Sequence, residues 1–168
     1  MSGIMKFITA VAVAALAAVL AFSLPAQAQG VLTQKNVSLS MAQAIANAAI
    51  EKCQSMGYKV AAAVVERGGQ TIVMLRGDGA GLHTPEGAER KAYTARTFSQ
   101  PSADFVKRLS DRPDTVGSRQ YTRVLALGGG LPIKAGNEVI GAVGVSGSPG
   151  KDDECSQAGL DKVADQLK

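Results

Sequence analysis

The chain has 168 residues, 46% of them apolar and 19% charged, with a formal net charge of +4. That length suits one folded core. The positive balance is too mild to mark a nucleic-acid surface, and no long Lys/Arg run or aromatic-basic interleaving is present. The two cysteines lack C-x-x-C spacing, which excludes a zinc ribbon or thioredoxin motif.

In chain order, Lys6 precedes an apolar run over residues 7–24 that only Thr9 and Ser23 interrupt, and Pro25 leads into Ala26-Gln27-Ala28. A basic start, an apolar stretch and an A-x-A site predict a secretory signal peptide over residues 1–28. A transmembrane anchor is the competing reading, but a cleavage box directly after a helix-breaking proline favours removal. Residues 29–168 are then expected to form the exported domain, periplasmic or secreted, with no stable membrane anchor after cleavage. Export implies an oxidising compartment, so Cys53 and Cys155 are expected to pair if the terminal helices lie side by side; two buried free thiols are the alternative. Closing a loop of roughly 100 residues would contribute up to about 4.7 kcal/mol in the chain-entropy model.

Ser40-Met41-Ala42-Gln43 fits a capping box, and Ala42, Ile45, Ala49, Cys53 and Met56 recur at helical spacing up to Gly57. The period then changes. Residues 60–65 and 71–75 are short apolar runs joined by Arg67-Gly68-Gly69, which predicts a hairpin. A helix is expected over 85–99, stopping before Pro101, with a shorter one over 103–109 and a polar loop over 111–117. Three further strands are predicted over 123–127, 131–135 and 139–145, too closely spaced to be anything but antiparallel neighbours. Asp152-Asp153-Glu154 opens a last helix reaching Leu167, as the helix dipole favours.

This order predicts a single α+β domain with a five-stranded antiparallel sheet flanked by helices. The strands are apolar at nearly every position, so both faces should be covered. Helices would cover one face and another subunit the other, which predicts a homo-oligomer. Gly141, Gly144 and Gly147 recur every third residue of the last strand. They would form a groove for a ligand or, the better reading, for the small-residue face of Ala88, Ala92 and Ala95.

Several motif matches carry little. "GVSGS" (144–148) has Ser148 where a nucleophile elbow needs glycine. Neither "GDGAG" (77–81) nor "GGGLPIK" (128–134) opens a helix with phosphate-loop or dinucleotide spacing. Glu86 and Arg90 stand four apart on one helix, the spacing of a surface ion pair. Arg90, Lys91 and Arg96 are the alternative anion-holding set.

His83 is the only histidine. Thr84-Pro85-Glu86 reads as N-cap, N1 and N2 of the 85–99 helix, which puts His83 just outside it. A neutral imidazole there offers a lone pair to a metal, and the glycine-rich loop before it leaves room for a flat ligand. The plain alternative is a loop histidine with no ligand.

"LSMAQAIANAAI", "VAAAVVERGGQTIVMLRGDGAGLHTPEGAERKAYTA" and "LALGGGLPIKAGNEVIGAVGVSGSPGKDDECSQAGL" resemble the GlcG/HbpS family over about residues 38–165. The ordered motifs D-G-A-x-x-H-T, G-G-x-P-I and G-x-x-G-V-S-G carry the resemblance. It implies a profilin-like fold and assembly into dimers or larger oligomers. For the extracellular branch it implies haem binding with a role in haem and iron handling or redox sensing. Carried onto this chain, His83 becomes the candidate iron ligand and Thr84 a hydroxyl contact. Arg90 and Lys91 become candidate partners of haem propionates. Relatives linked to glycolate oxidation imply a rival reading, an enzyme or accessory acting on a small hydroxy acid with Arg90 or Arg96 on its carboxylate.

Overall fold

In the computed structural model, which describes residues 30–168, helix α1 spans Leu39–Ser55. The expected signal peptide lies outside the described residues. The helix starts two residues earlier than a cap at Ser40 would allow. Ser38 is the N-cap and accepts the Met41 amide at 3.2 Å, while the Ser40 hydroxyl bonds only to that of Ser38. Gly57 ends it with φ +82, a conformation that glycine adopts without a side-chain penalty.

Strands β1 (Ala61–Glu66) and β2 (Thr71–Arg76) form the expected hairpin. Helices α2 (Thr84–Phe98) and α3 (Ser102–Asp111) follow, and a 3-10 helix covers Pro113–Gln120 where a loop was expected. The chain closes with β3 (Gly130–Ala135), β4 (Glu138–Ser146), α4 (Asp152–Asp161) and a short 3-10 turn, Ala164–Gln166, so the last helix is shorter than expected. The compact unit that these elements build is Gln34–Lys168. No helix among the described residues is long and apolar enough to cross a membrane.

The sheet has four antiparallel strands in the order β2-β1-β4-β3, not five. The expected strand over 123–127 does not form, because α2 takes its hydrogen bonds. The Leu125 amide donates to the Thr94 hydroxyl at 2.9 Å, and the Val124 carbonyl accepts from the Arg90 guanidinium at 2.9 Å. Arg123 adopts a positive φ of 73°, which breaks the extended path, and its guanidinium reaches the Gly69 carbonyl and Glu89. Apolar periodicity cannot reveal that backbone polar groups will be satisfied by helix side chains.

β1 and β4 are the central strands and are buried along nearly their whole length. Ala62 and Val64 of β1 join Val143 and Val145 of β4 on the face under α1 and α4, with Ile45, Ala49 and Ile133. Ala61, Ala63, Val65 and Ala142 point to the opposite face, against Ala88, Ala92 and Ala95 of α2. Both faces are thus covered by the chain's own helices. The fully apolar strands therefore need no second subunit to explain them, and the oligomer expectation loses that support.

The glycine groove exists only in part. Gly144 lies directly under α2, where a Cβ would run into the Ala88 carbonyl and the Ala92 amide. Gly141 faces the other way, near Val37, and Gly147 sits in the following turn with φ +125. A period of three cannot keep one face of a strand, whose side chains alternate. On the other side of the sheet, α4 approaches α1 closely because Gly159 lacks a side chain: a Cβ there would stand 2.7 Å from the Ile45 carbonyl. Cys53 and Cys155 form a disulfide across these two helices, with Cα atoms 5.5 Å apart.

Candidate functional site

Short-range backbone and side-chain bonds shape the loop between β2 and α2. The Arg76 guanidinium donates to the Ala80 carbonyl, at 3.2 Å from Nε and 2.5 Å from Nη2. The Ala80 amide returns to the Gly77 carbonyl at 3.1 Å, and Ala80 is buried. Thr84 does not cap the helix as expected. It is the first helical residue, and its hydroxyl donates to the Gly81 carbonyl at 2.8 Å. His83 takes the N-cap position instead, with a helical φ of −80° and no side-chain cap. Its carbonyl accepts the Gly87 amide at 2.9 Å. The backbone of His83 is therefore committed to α2 while its ring is exposed and makes no hydrogen bond to any described residue.

The imidazole lies over Gly81: a Cβ at that glycine would stand 2.9 Å from its Cε1 and 3.2 Å from its Nδ1. The ring opens onto a cleft of about 580 Å³. Thr84 and Lys91 of α2 line the cleft, as do Asp152 and Asp153 at the start of α4. Lys59, just ahead of β1, and Ser146, at the end of β4, complete its polar lining, and Leu127 and Pro149 contribute apolar surface.

Lys91 lies in this cleft but is not free. It is 4% exposed, and its Nζ donates to Asp152 Oδ2 at 2.7 Å and to the Val145 carbonyl at 3.1 Å. The other oxygen of Asp152 accepts the Ser148 amide at 2.9 Å and its hydroxyl at 2.7 Å. A buried ammonium needs such a partner, since desolvating either charge alone is costly. Asp153 Oδ1 accepts the Gly129 amide at 2.8 Å and ties α4 to the strip before β3. These bonds hold α2, β4 and α4 around the cleft.

Arg90 is elsewhere. It pairs with Glu86 at 3.0 Å, as its spacing predicts, and binds the Val124 carbonyl. It lines a separate polar recess with Glu89, Arg119 and Arg123. Of the four residues picked from sequence, His83, Thr84 and Lys91 converge and Arg90 does not. Thr84 and Lys91 arrive with their polar atoms already hydrogen-bonded.

Sequence reasoning missed Lys59 and the acidic pair of α4, and met Ser146 only as the serine of the discarded elbow motif. Asp152-Asp153 was visible, but only as a complement to the helix dipole. Its role as counter-charge to Lys91, sixty-one residues away, follows from the packing of α2 against β4. Ser146 and His83 share the cleft, yet no hydrogen bond joins them among the described residues, so they form no nucleophile–base pair. The described residues contain no group of three or more His, Cys, Asp or Glu able to hold a metal ion by themselves. A metal at His83 would have to bring its other ligands with it, as the iron of a macrocycle does.

The crystal structure of a double mutant of Streptomyces reticuli HbpS is 34% identical, with a TM-score of 0.75, over 82% of this chain and 94% of that one. The crystal structure of a PduOC:haem complex shares the fold, with a TM-score of 0.68 at 24% identity, over 75% of this chain and 94% of that one. A Citrobacter freundii protein, described as an uncharacterised 15.0 kDa protein of the dhaT-dhaS intergenic region, is 33% identical over 113 residues, 66% of this chain and 80% of its own length. The family model described as "Haem degrading protein HbpS-like" matches residues 37–161, and the chain belongs to that family.

Proposed function

We propose that this protein is an exported haem-binding protein that assembles into homo-oligomers and serves haem and iron handling or redox sensing. The observation that carries the reading is the exposed, unbonded imidazole of His83 at the edge of a cleft of about 580 Å³. That size falls within the range of small-molecule sites. Leu127, half exposed in the lining, and Leu82, 89% exposed beside His83, supply apolar surface where aromatic rings are scarce.

Bound haem would supply an iron, and His83 would be the residue that holds it through an imidazole nitrogen. The chain's part is to hold that imidazole in place. The N-cap position fixes the backbone of His83, Gly81 allows the ring to lie close, and the Arg76–Ala80 bonds brace the loop. Lys91 serves the site by bracing α2 against α4 through Asp152, not by meeting a propionate. Export is supported by the Cys53–Cys155 bridge, a feature of oxidising compartments. The hydroxy-acid reading has weaker footing, because Arg90 is bonded to Glu86 and Val124 outside the cleft.

Haemin titration followed by the Soret band tests the proposal. Wild-type protein is expected to give a saturable, shifted Soret band, and His83→Ala to change its position and weaken binding by roughly tenfold or more. An unchanged mutant spectrum removes His83 from the iron. Absence of any wild-type binding removes the function.

A further inference from the structure

We infer that Lys59 is the carboxylate anchor of the cleft, setting which way round an anionic ligand enters; the inference rests on the haem-binding reading for its ligand and on the cleft itself for its chemistry. Two lysines line the cleft, and they differ in one respect. Lys91 is buried and its charge is spent on Asp152. Lys59 is exposed and has no hydrogen-bond or ion-pair partner among the described residues. It is the cation of the lining left to meet a ligand's charge.

Its position is built, not incidental. The Lys59 carbonyl lies where a Cβ on Gly147 would stand, 2.6 Å from it, so the turn after β4 holds the lysine backbone against the cleft wall. Its side chain runs over Gly79: Cδ and Nζ lie 3.0 and 3.2 Å from where a Cβ there would be. Gly79 adopts φ +73, which disfavours a side chain as well. His83 lies in the same way over Gly81, two residues further on. One short braced loop therefore underlies both the imidazole and the ammonium.

Another part of the lining, at the start of α4, has the other sign. Asp153 lies against Gly128, where a Cβ would stand 2.8 Å from Oδ2, and among the described residues its carboxylate accepts only the Gly129 amide. The Lys91–Asp152 ion pair in the same lining is self-compensating. An anion is drawn toward the Lys59 side and repelled from the Asp153 side, which fixes orientation more than affinity. A planar iron macrocycle with carboxylates along one edge meets both demands, with metal toward His83 and carboxylates toward Lys59. A small hydroxy acid offers the same carboxylate without the metal.

Binding of haemin, metal-free protoporphyrin and glycolate is measured for wild type, Lys59→Ala, Lys59→Arg and His83→Ala, with Lys134→Ala as an off-cleft control. Lys59→Ala is expected to weaken haemin and protoporphyrin alike, by about fivefold for a partly exposed charge contact. Lys59→Arg is expected to restore both, whereas His83→Ala weakens haemin alone. If glycolate binds in a Lys59-dependent way and haemin does not bind, the anchor stands and the haem reading fails. Equal affinities for wild type and Lys59→Ala, or a loss matched by Lys134→Ala, overturn the anchor. So does a wild type that binds none of the three.

Discussion

The two faces of the sheet are built on different plans. Under α1 and α4 the contacts are branched and long aliphatics, among them Ile45, Val64, Ile133 and Val143, sealed by the Cys53–Cys155 bridge. Under α2 they are mostly small, Ala61, Ala63, Ala88, Ala92, Ala95, Ala142 and Gly144, with Val65 the one branched side chain among them. The first face buries more and larger apolar side chains, and burial scales with stabilisation. The second face buries little side chain but lets the α2 backbone lie almost on the strands. That closeness brings the start of α2, with His83 and Lys91, beside the turns that follow β4 and precede β3. One face supplies stability and the other supplies position. The polar bonds around Lys91 make up some of what the alanine face does not provide.

Three substitutions separate these roles, from the largest expected effect down. Lys91→Met leaves Asp152 buried without its counter-charge and should cost about 3–5 kcal/mol in urea unfolding. Lys91→Met/Asp152→Asn should recover part of that loss, since the amide can still accept from Ser148. A loss below about 1 kcal/mol would mean that the pair contributes no more than a surface ion pair, and that the α2 face does not depend on it.

Packing comes next. Gly144→Val places methyl groups where the Ala88 carbonyl and Ala92 amide already lie, and should cost about 3 kcal/mol, at the upper end for overpacking. Ile45→Val, which removes one methylene from the other face, should cost about 1 kcal/mol. The same urea series reads both, and a reversal of that order would refute the contrast between the faces.

The smallest effect lies at the β1–β2 turn, away from both faces. The Gly68 amide is the main cause holding the Glu66 carboxyl below its ordinary 4.5, with the Gln70 amide and the Asn36 side chain adding to it against the cost of burial. A depressed carboxylate stabilises the fold above its unfolded value, and that stability is lost as pH falls through the folded one. Wild type should therefore exceed Glu66→Gln by under about 1 kcal/mol at pH 6. The gap should close as the pH drops below 4.5. A gap that widens on acidification would contradict the assigned hydrogen bonds.

The helices and four of the five expected strands could be read from period and turn residues, because amphipathic spacing and Gly turns are local signals. The fifth strand failed at Val124 and Leu125, whose apolar run looks like its neighbours. Their backbone partners, Thr94 and Arg90, belong to a helix thirty residues earlier. His83 stood out as the lone histidine at a helix start. Lys59 gave no sign, since an exposed lysine ahead of a strand is ordinary until the turn after β4 closes against it.

The sequence by itself determined the family, the α+β order and, to within one residue, the helix start beside His83. These rest on neighbours a few residues apart or on motifs kept in order. Tertiary structure alone decided the rest. It tied Lys91 to Asp152, turned Arg90 out of the cleft, laid residues 123–127 on α2 and left Lys59 facing open space. The Lys91–Asp152 pair depends on how closely α2 can approach β4, a distance set by the absent side chain of Gly144 and the alanines facing it, whereas Lys59 is held by the turn at Gly147.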